Sequence, residues 1–363
     1  MIRSQTTPDQ VPLDGPTAGP PVDSPEHVAS PTGKRTSSIS PLLRRVFARE
    51  ELGITTVLVV LVVFIGVVHP NFLAQDALLG LIRSAAFVAL IAFGMVFLLA
   101  MTELDLSVGS VFGLSGLISG QLMANGMPPW LALLTGPLTG MILEAVNAFF
   151  ANTFRIPVII VTLGTLTAFR GLATVVTHSQ AIVGLPLDSS FFKVLGGTVL
   201  GVPTAVVVVV IVGVLITVAF RRTPFGARVR AVGSNQAAAR FSGIKVGRTR
   251  LQALLLVGAL CGLSGVLGLA YFQGADPTLG SGLELQVIAA VIIGGTAVTG
   301  GSGSVPGALI GTLVIVTISG GLVYFSVDPS WSGVVTGVTI LVAVSADGVV
   351  RRRRAIRQTR AGG

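Results

Sequence analysis

Ten apolar stretches, most of them close to twenty residues long and joined by short polar links, leave this chain few ways to fold. They run at about 52–69, 78–101, 104–124, 130–151, 157–177, 199–220, 251–272, 284–299, 305–326 and 331–348. Crossing roughly 30 Å of hydrocarbon takes about 20 helical residues, and a helix satisfies all its backbone groups within one segment. The expected fold is an all-α polytopic membrane protein with about ten transmembrane helices. Composition agrees, since 52% of the 363 residues are hydrophobic and 11% charged, where soluble domains carry about a quarter charged. The stretch at 284–299 is the shortest, and its Gly294-Gly295-Thr296 end predicts a helix that stops or breaks inside the bilayer. Glycines fall mostly inside apolar stretches beside Ser, Thr and Ala, where small side chains let helices approach closely.

The basic residues orient the bundle. Six Lys or Arg precede the first stretch, eight lie in 221–250, six follow the last, and Arg155 sits in the short 152–156 link. Arg83 and Arg170 lie within apolar stretches, and only Lys193 falls on the opposite side. Excess positive charge on short loops marks the cytoplasmic face, so ten crossings place both termini in the cytoplasm. Topology thus accounts for the net charge of +9 without nucleic acid. Residues 1–40, rich in Pro, Ser, Thr and Asp, read as a disordered cytoplasmic tail. Next come an amphipathic lead-in at 41–51, a membrane domain at 52–348 and a basic tail at 349–363.

An echo suggests two five-helix halves. Leu104-Asp105-Leu106-Ser107-Val108 opens the third stretch and Leu283-Glu284-Leu285-Gln286-Val287 the eighth, five crossings later. An odd offset inverts the topology, as in inverted repeats.

The one long polar insertion, 221–250, has arginines at its ends and a nearly uncharged centre. Asn235 is placed to cap a short helix and Gly243 to end it. By itself the insertion is either a topological marker or a docking knob. Its pattern Gly-x-Asn-x-x-Ala-Ala-x-x-Ser-Gly-Ile resembles the coupling loop of ribose-type ABC importer permeases, within the branched-chain amino acid/ribose permease class. Further motifs in order are similar to that family: 103–110 (ELDLSVGS), Ile156-Pro157 through Thr162-Leu163-Gly164-Thr165 with Arg170-Gly171, and 293–296 (IGGT) followed by 300–304 (GGSGS). The resemblance spans roughly 70–348. Departures from the family pattern include Gln236-Ala237 after the loop's Asn, Ser319-Gly320-Gly321, Thr336, and Glu144 where a small residue is usual.

The resemblance implies a permease that pairs with a second copy or a related permease and with two cytoplasmic ATPase chains. An extracytoplasmic binding protein would deliver the substrate. ATP and Mg would sit in the partner ATPase; this chain is expected to bind no cofactor or metal and to catalyse nothing. It has no GxxxxGK[ST] phosphate loop, and His27, His69 and His178 lack metal spacing. Gly226, Gly233, Asn235, Ala238, Ala239, Ser242, Gly243 and Ile244 are the expected coupling residues. Candidate pathway residues are Asp105, Ser107, Asn147, Thr165, Arg170, Gln286 and Thr296, whose neutral members suit a polyhydroxylated ligand and equally suit interhelical bonding. Asp105 reads first as a cap for the third helix, Arg170 as an ion-pair partner of Glu144, and Arg83 as a snorkelling side chain. The expected substrate is a monosaccharide or similar small polyol, with a nucleoside, an autoinducer-like furanose or a branched-chain amino acid as alternatives. The alternative from another class is an ion-coupled secondary transporter using Asp105 and Glu284. The expected location is the bacterial cytoplasmic membrane.

Overall fold

Apolar stretches become helices here because hydrocarbon offers no other partner for backbone N–H and C=O groups. The computed structural model describes residues 49–328 and, beyond them, 331, 333–339, 341 and 345. The expectations for the 1–40 tail, most of the 41–51 lead-in, much of the tenth stretch and the 349–363 tail lie outside these residues. The chain divides into two units, Met1–Arg44 and Arg45–Gly363, and all described residues belong to the second.

In chain order the helices are α1 (Arg49–Val68), α2 (Gln75–Ala100), α3 (Val108–Ala124), α4 (Ala132–Thr153), α5 (Val158–Val176), the short α6 (Ser190–Leu195) and α7 (Thr204–Arg222). Then follow α8 (Pro224–Ser234), α9 (Gln236–Phe241), α10 (Val246–Phe272), α11 (Leu283–Ile293) and α12 (Val305–Tyr324), and residues 333–339 are helical again. Two-residue strands at Thr198–Val199 and Val202–Pro203 pair antiparallel just before α7. Seven of these helices are long and apolar enough to span a bilayer, while α3 and α11 are shorter. The protein is an all-α polytopic membrane protein.

Two boundaries differ from the sequence reading, and a third, the break at the Gly294-Gly295-Thr296 end of the eighth stretch, falls where it is predicted. The third apolar stretch becomes helical at Val108, not 104. Thr102 adopts a left-handed φ of 62°, and the Asp105 carboxylate accepts the Ser107 N–H at 2.8 Å, so 101–107 turns instead of coiling. The eighth stretch ends at Ile293, where Gly295 takes a φ of 83°. The 221–250 insertion is shorter than it reads, because Arg221 and Arg222 finish α7 and residues 246–250 open α10.

Of the seven long helices, α2 and α10 are the most enclosed. In α10, Gly258 and Gly262 lie one turn apart and interlock with Gly136 and Gly140 of α4, each glycine facing the backbone of its opposite number. A Cβ on Gly140 would sit 2.8 Å from the Gly258 carbonyl carbon and 3.2 Å from the Gly262 nitrogen. Such reciprocal small residues permit backbone contact in a setting where apolar burial itself drives little association. By contrast α1 and α7 expose Val60, Val63, Val67, Val214 and Leu215, an apolar surface suited to lipid.

At the end of α2, three segments meet on one carbonyl. The Gly301 N–H donates to Ala100 O at 2.8 Å, and Gly233 of α8 presses on the same carbonyl, with its absent Cβ site 2.7 Å from the Gly301 nitrogen. Nearby, Ser304 caps α12 by accepting the Gly307 N–H, and donates its own proton to Glu51 Oε1 at 2.6 Å. Arg221 stands 3.6 Å from that Glu51 oxygen.

Candidate functional site

Two stretches that echo each other in sequence open α3 and α11, and their first turns meet inside the bundle. Gly109 packs against the Gly280 carbonyl and the Glu284 side chain with no room for a Cβ, and Gly113 lies on the Leu279 carbonyl. The chain from 273 to 282 returns into the bundle through Gly280 and Gly282, with φ of 83° and 78°.

Beside this junction lies a buried polar network. Ser107 Oγ donates to Asp105 Oδ1 at 2.6 Å, and Glu144 Oε1 lies 3.4 Å from the same hydroxyl. Asn147 Nδ2 donates to Ser107 Oγ at 2.9 Å and to Glu144 Oε2 at 3.0 Å. Thr165 Oγ1 donates to Asn147 Oδ1 at 2.7 Å, and the Leu106 N–H donates to Thr162 Oγ1 at 3.1 Å. Asp105, Ser107, Glu144, Asn147 and Thr162 are all buried. Glu144 packs on Gly258, close to the middle of the 27-residue α10. At 1.5 Å per residue that is about 18 and 21 Å from the two ends of α10, so the network lies at mid-depth of the bundle. Half-helix ends and neutral donors at mid-depth are the usual makings of a solute site in membrane transporters.

Of the candidate pathway residues, Asp105, Ser107, Asn147 and Thr165 are thus brought together. Asp105 is not the N-cap of α3, since Ser107 occupies that position and makes no side-chain cap bond. Arg170 does not pair with Glu144. It donates to Ser281 Oγ and, at 3.3 Å, to Gly280 O, strapping the returning 278–282 segment to α5. Glu144 is taken up by Ser107 and Asn147 instead. Arg83 lies over the Tyr271 ring, 5.3 Å from its centroid. Gln286 and Thr296 stand apart from the network. Gln286 lines a cavity of about 510 Å³ with Asp76, Ser84, Ser319 and Tyr324. Thr296 is buried and accepts the Ser304 N–H.

The centre of the 221–250 insertion forms two short helices. Thr223 caps α8, accepting the Gly226 N–H at 3.2 Å. Asn235 caps α9, accepting the Ala238 N–H at 3.0 Å, and Gly243 ends the turn with a φ of 82°. Gly226 packs on the backbone at the end of α7 and Gly233 on the Ala100 carbonyl, so both face the bundle. Ala239 is buried as well, and Ile244 packs partly buried against the core. Ala238, Ser242 and Gly243 are exposed, and Phe241 is 93% exposed.

A family model described as "branched-chain amino acid transport system / permease component" matches residues 77–344. The chain belongs to this family. Among similar proteins, the ribose import permease of Bacillus subtilis is 37% identical over 298 residues, covering 82% of this chain and 92% of the relative. The ribose import permease of Haemophilus influenzae is 32% identical, covering 80% of this chain and 90% of the relative. The D-allose transport system permease of Escherichia coli is 32% identical, covering 84% and 93%. No solved structure gives a significant match. The permease is therefore a multi-pass membrane transport protein.

Sequence reasoning missed two features of this permease. Glu144 reads as the partner of Arg170 because opposite charges in neighbouring stretches invite pairing, yet the i, i+3 spacing of Glu144 and Asn147 already puts both on one helix face. Phe241 is not among the expected coupling residues. With Ala239 buried, a residue two positions on lies about 200° around the helix and must face outward.

Proposed function

We propose that this permease is the membrane subunit of an ABC importer that moves a monosaccharide or similar small polyol into the cell by alternating access. The observation that carries the substrate class is the match, at 32–37% identity over four-fifths or more of the chain, to ribose and D-allose permeases. The geometry supports the same class, because beside two buried carboxylates the mid-depth network carries hydroxyl and amide groups of the kind that bond a polyol, with Thr165 partly exposed. In this reading a second permease copy or a related chain completes the pathway, and an extracytoplasmic binding protein delivers the solute. Two cytoplasmic ATPase chains, which hold ATP and Mg, drive the cycle.

The coupling contact falls on the exposed part of α9 and its end: Ala238, Phe241, Ser242 and Gly243, positioned by Asn235. Phe241 is the apolar anchor, since an exposed aromatic on a rigid short helix is the type of side chain that dominates interfaces. Gly226, Gly233, Ala239 and Ile244 serve the contact indirectly by seating α8 and α9 on the bundle. Both termini then lie in the cytoplasm with this surface, in a bacterial cytoplasmic membrane.

Proteoliposomes holding the permease, its ATPase partner and its binding protein test the reading. ATP-dependent uptake of ribose or allose is expected, with none driven by a proton or sodium gradient alone. Ala238→Asp combined with Phe241→Asp should lower uptake at least tenfold at normal membrane yield. Gradient-driven uptake without ATP, or undiminished uptake by the double variant, overturns it.

A further inference from the structure

Where α4 ends and α5 and α10 begin, a cavity of about 530 Å³ opens at the surface between these helix ends and α9. Its lining brings three guanidinium side chains together, those of Arg155, Arg240 and Arg250, with Asn152 and Gln236 and no carboxylate. The charge of Arg250 is already matched. It contacts Glu103 at 2.5 Å and Asn152 Oδ1 at 2.9 Å, and Asn152 in turn donates to Gly247 O at 3.0 Å. Arg155 and Arg240 have no ion-pair partner among the described residues. Basic residues at a membrane surface are ordinarily separate, hydrated markers of orientation; here they converge on one concavity.

Backbone dipoles add to the same sign. Pro157, Val246 and Gly247 line the cavity, so it faces the N-terminal ends of α5 and α10, and neither helix has a side-chain cap. Uncapped first-turn N–H groups and the positive end of a helix favour an anion. Two surplus arginines, a third held rigid, and two helix N-termini point to a phosphate-sized anionic group. The apolar surface of the same helix ends says which kind. Phe149, Phe150 and Phe154 do not line the cavity but are exposed on the last turn of α4 and just after it, the stretch that also carries Asn152 and Arg155, with Phe150 and Phe154 stacked, and Ile159 and Ile160 are exposed at the start of α5. A free phosphate has no use for that surface, whereas the acyl chains of a phospholipid would cover it. We infer that this cavity binds the phosphate of an anionic phospholipid headgroup, with the chains lying along the α4–α5 aromatic flank. Basic pockets between spanning helices are suited to such headgroups.

The test uses the full chain purified in detergent, titrated with phosphatidylglycerol, phosphatidylcholine or inorganic phosphate, with bound lipid read by native mass spectrometry. Phosphatidylglycerol should bind in preference to phosphatidylcholine. Arg155→Gln with Arg240→Gln should weaken it by about 30-fold, at about one kcal/mol for each basic residue near the surface. A charge-matched control, Arg222→Gln with Arg248→Gln, removes two exposed arginines outside the cavity and should change binding less than threefold. Equal losses in the two pairs would mean diffuse attraction and overturn the assignment. Inorganic phosphate binding as tightly as phosphatidylglycerol would assign the cavity to a free anion and overturn it too. So would unchanged lipid binding with lost ATPase co-purification in the Arg155/Arg240 variant, which would give the cavity to a protein partner.

Discussion

Replacing Gly140 by alanine should be among the most damaging single-methyl changes in this permease. The new Cβ would sit 2.8 Å from the Gly258 carbonyl carbon and 3.2 Å from the Gly262 nitrogen, both backbone atoms that no rotamer change can move. The Gly258 carbonyl oxygen lies nearer still, so to restore ordinary contact α4 and α10 must separate by roughly 1 Å or more, and a gap of about 1 Å forfeits about half of each dispersion contact. An interface worth about two buried leucines holds roughly 100 such contacts at about 0.1 kcal/mol each, so the loss is about 5 kcal/mol. That corresponds to a melting temperature lower by roughly 8 °C for a domain of this size. The assay is thermal unfolding of the detergent-purified protein, followed by monodispersity on gel filtration. Gly164→Ala is the matched control, because a Cβ there meets nothing within 4 Å; its effect should stay within about 0.5 kcal/mol. Equal melting temperatures for the two variants would refute the interlocking-glycine argument. Because Glu144 lies one turn beyond Gly140 on α4, Gly140→Ala should also lower uptake by whatever protein remains folded.

Arg170→Gln removes the charged donors holding Ser281 and Gly280. Amide hydrogen exchange across 278–283 should accelerate by about 10- to 100-fold, and folded yield should fall more than sugar preference changes; unaltered exchange would rule out the strap. Ser304→Ala deletes the cap of α12 and the donor to buried Glu51. It should cost about 2–3 kcal/mol in thermal unfolding, with Ser304→Thr close to wild type; a melting temperature equal to wild type would show that neither bond matters.

The apolar stretches within the described residues were legible as helices because hydrocarbon leaves their backbone groups no other partner. The cap at Asn235 and the stops at Gly243 and Gly295 were legible because they depend on local backbone chemistry. Side-chain partners at mid-depth were not. Arg170 and Glu144 look complementary in one dimension, but Glu144 is satisfied by Ser107 and Asn147, and Arg170 finds a carbonyl and a hydroxyl on a segment more than a hundred residues away. The same limit applied to the coupling stretch, where sequence treated Ala238 and Ala239 alike while the docking of α9 buries one and exposes the other. The onset of α3 at Val108 was hidden for a third reason, since the turn through 101–107 rests on the left-handed Thr102 and the Ser107 N–H to Asp105 bond, which the composition of the stretch does not reveal.

The carbonyl of Ala100 finally governs how a push travels. It is shared by the last turn of α2, by Gly301 ahead of α12 and by Gly233 in α8, and at Gly233 there is no side chain to compress. In the proposed cycle a load applied to α9 would meet a bearing without slack. It would not be dissipated by rotamer changes at that joint, and would divide between the end of α2 and the start of α12, two levers with their far ends at the other end of the bundle.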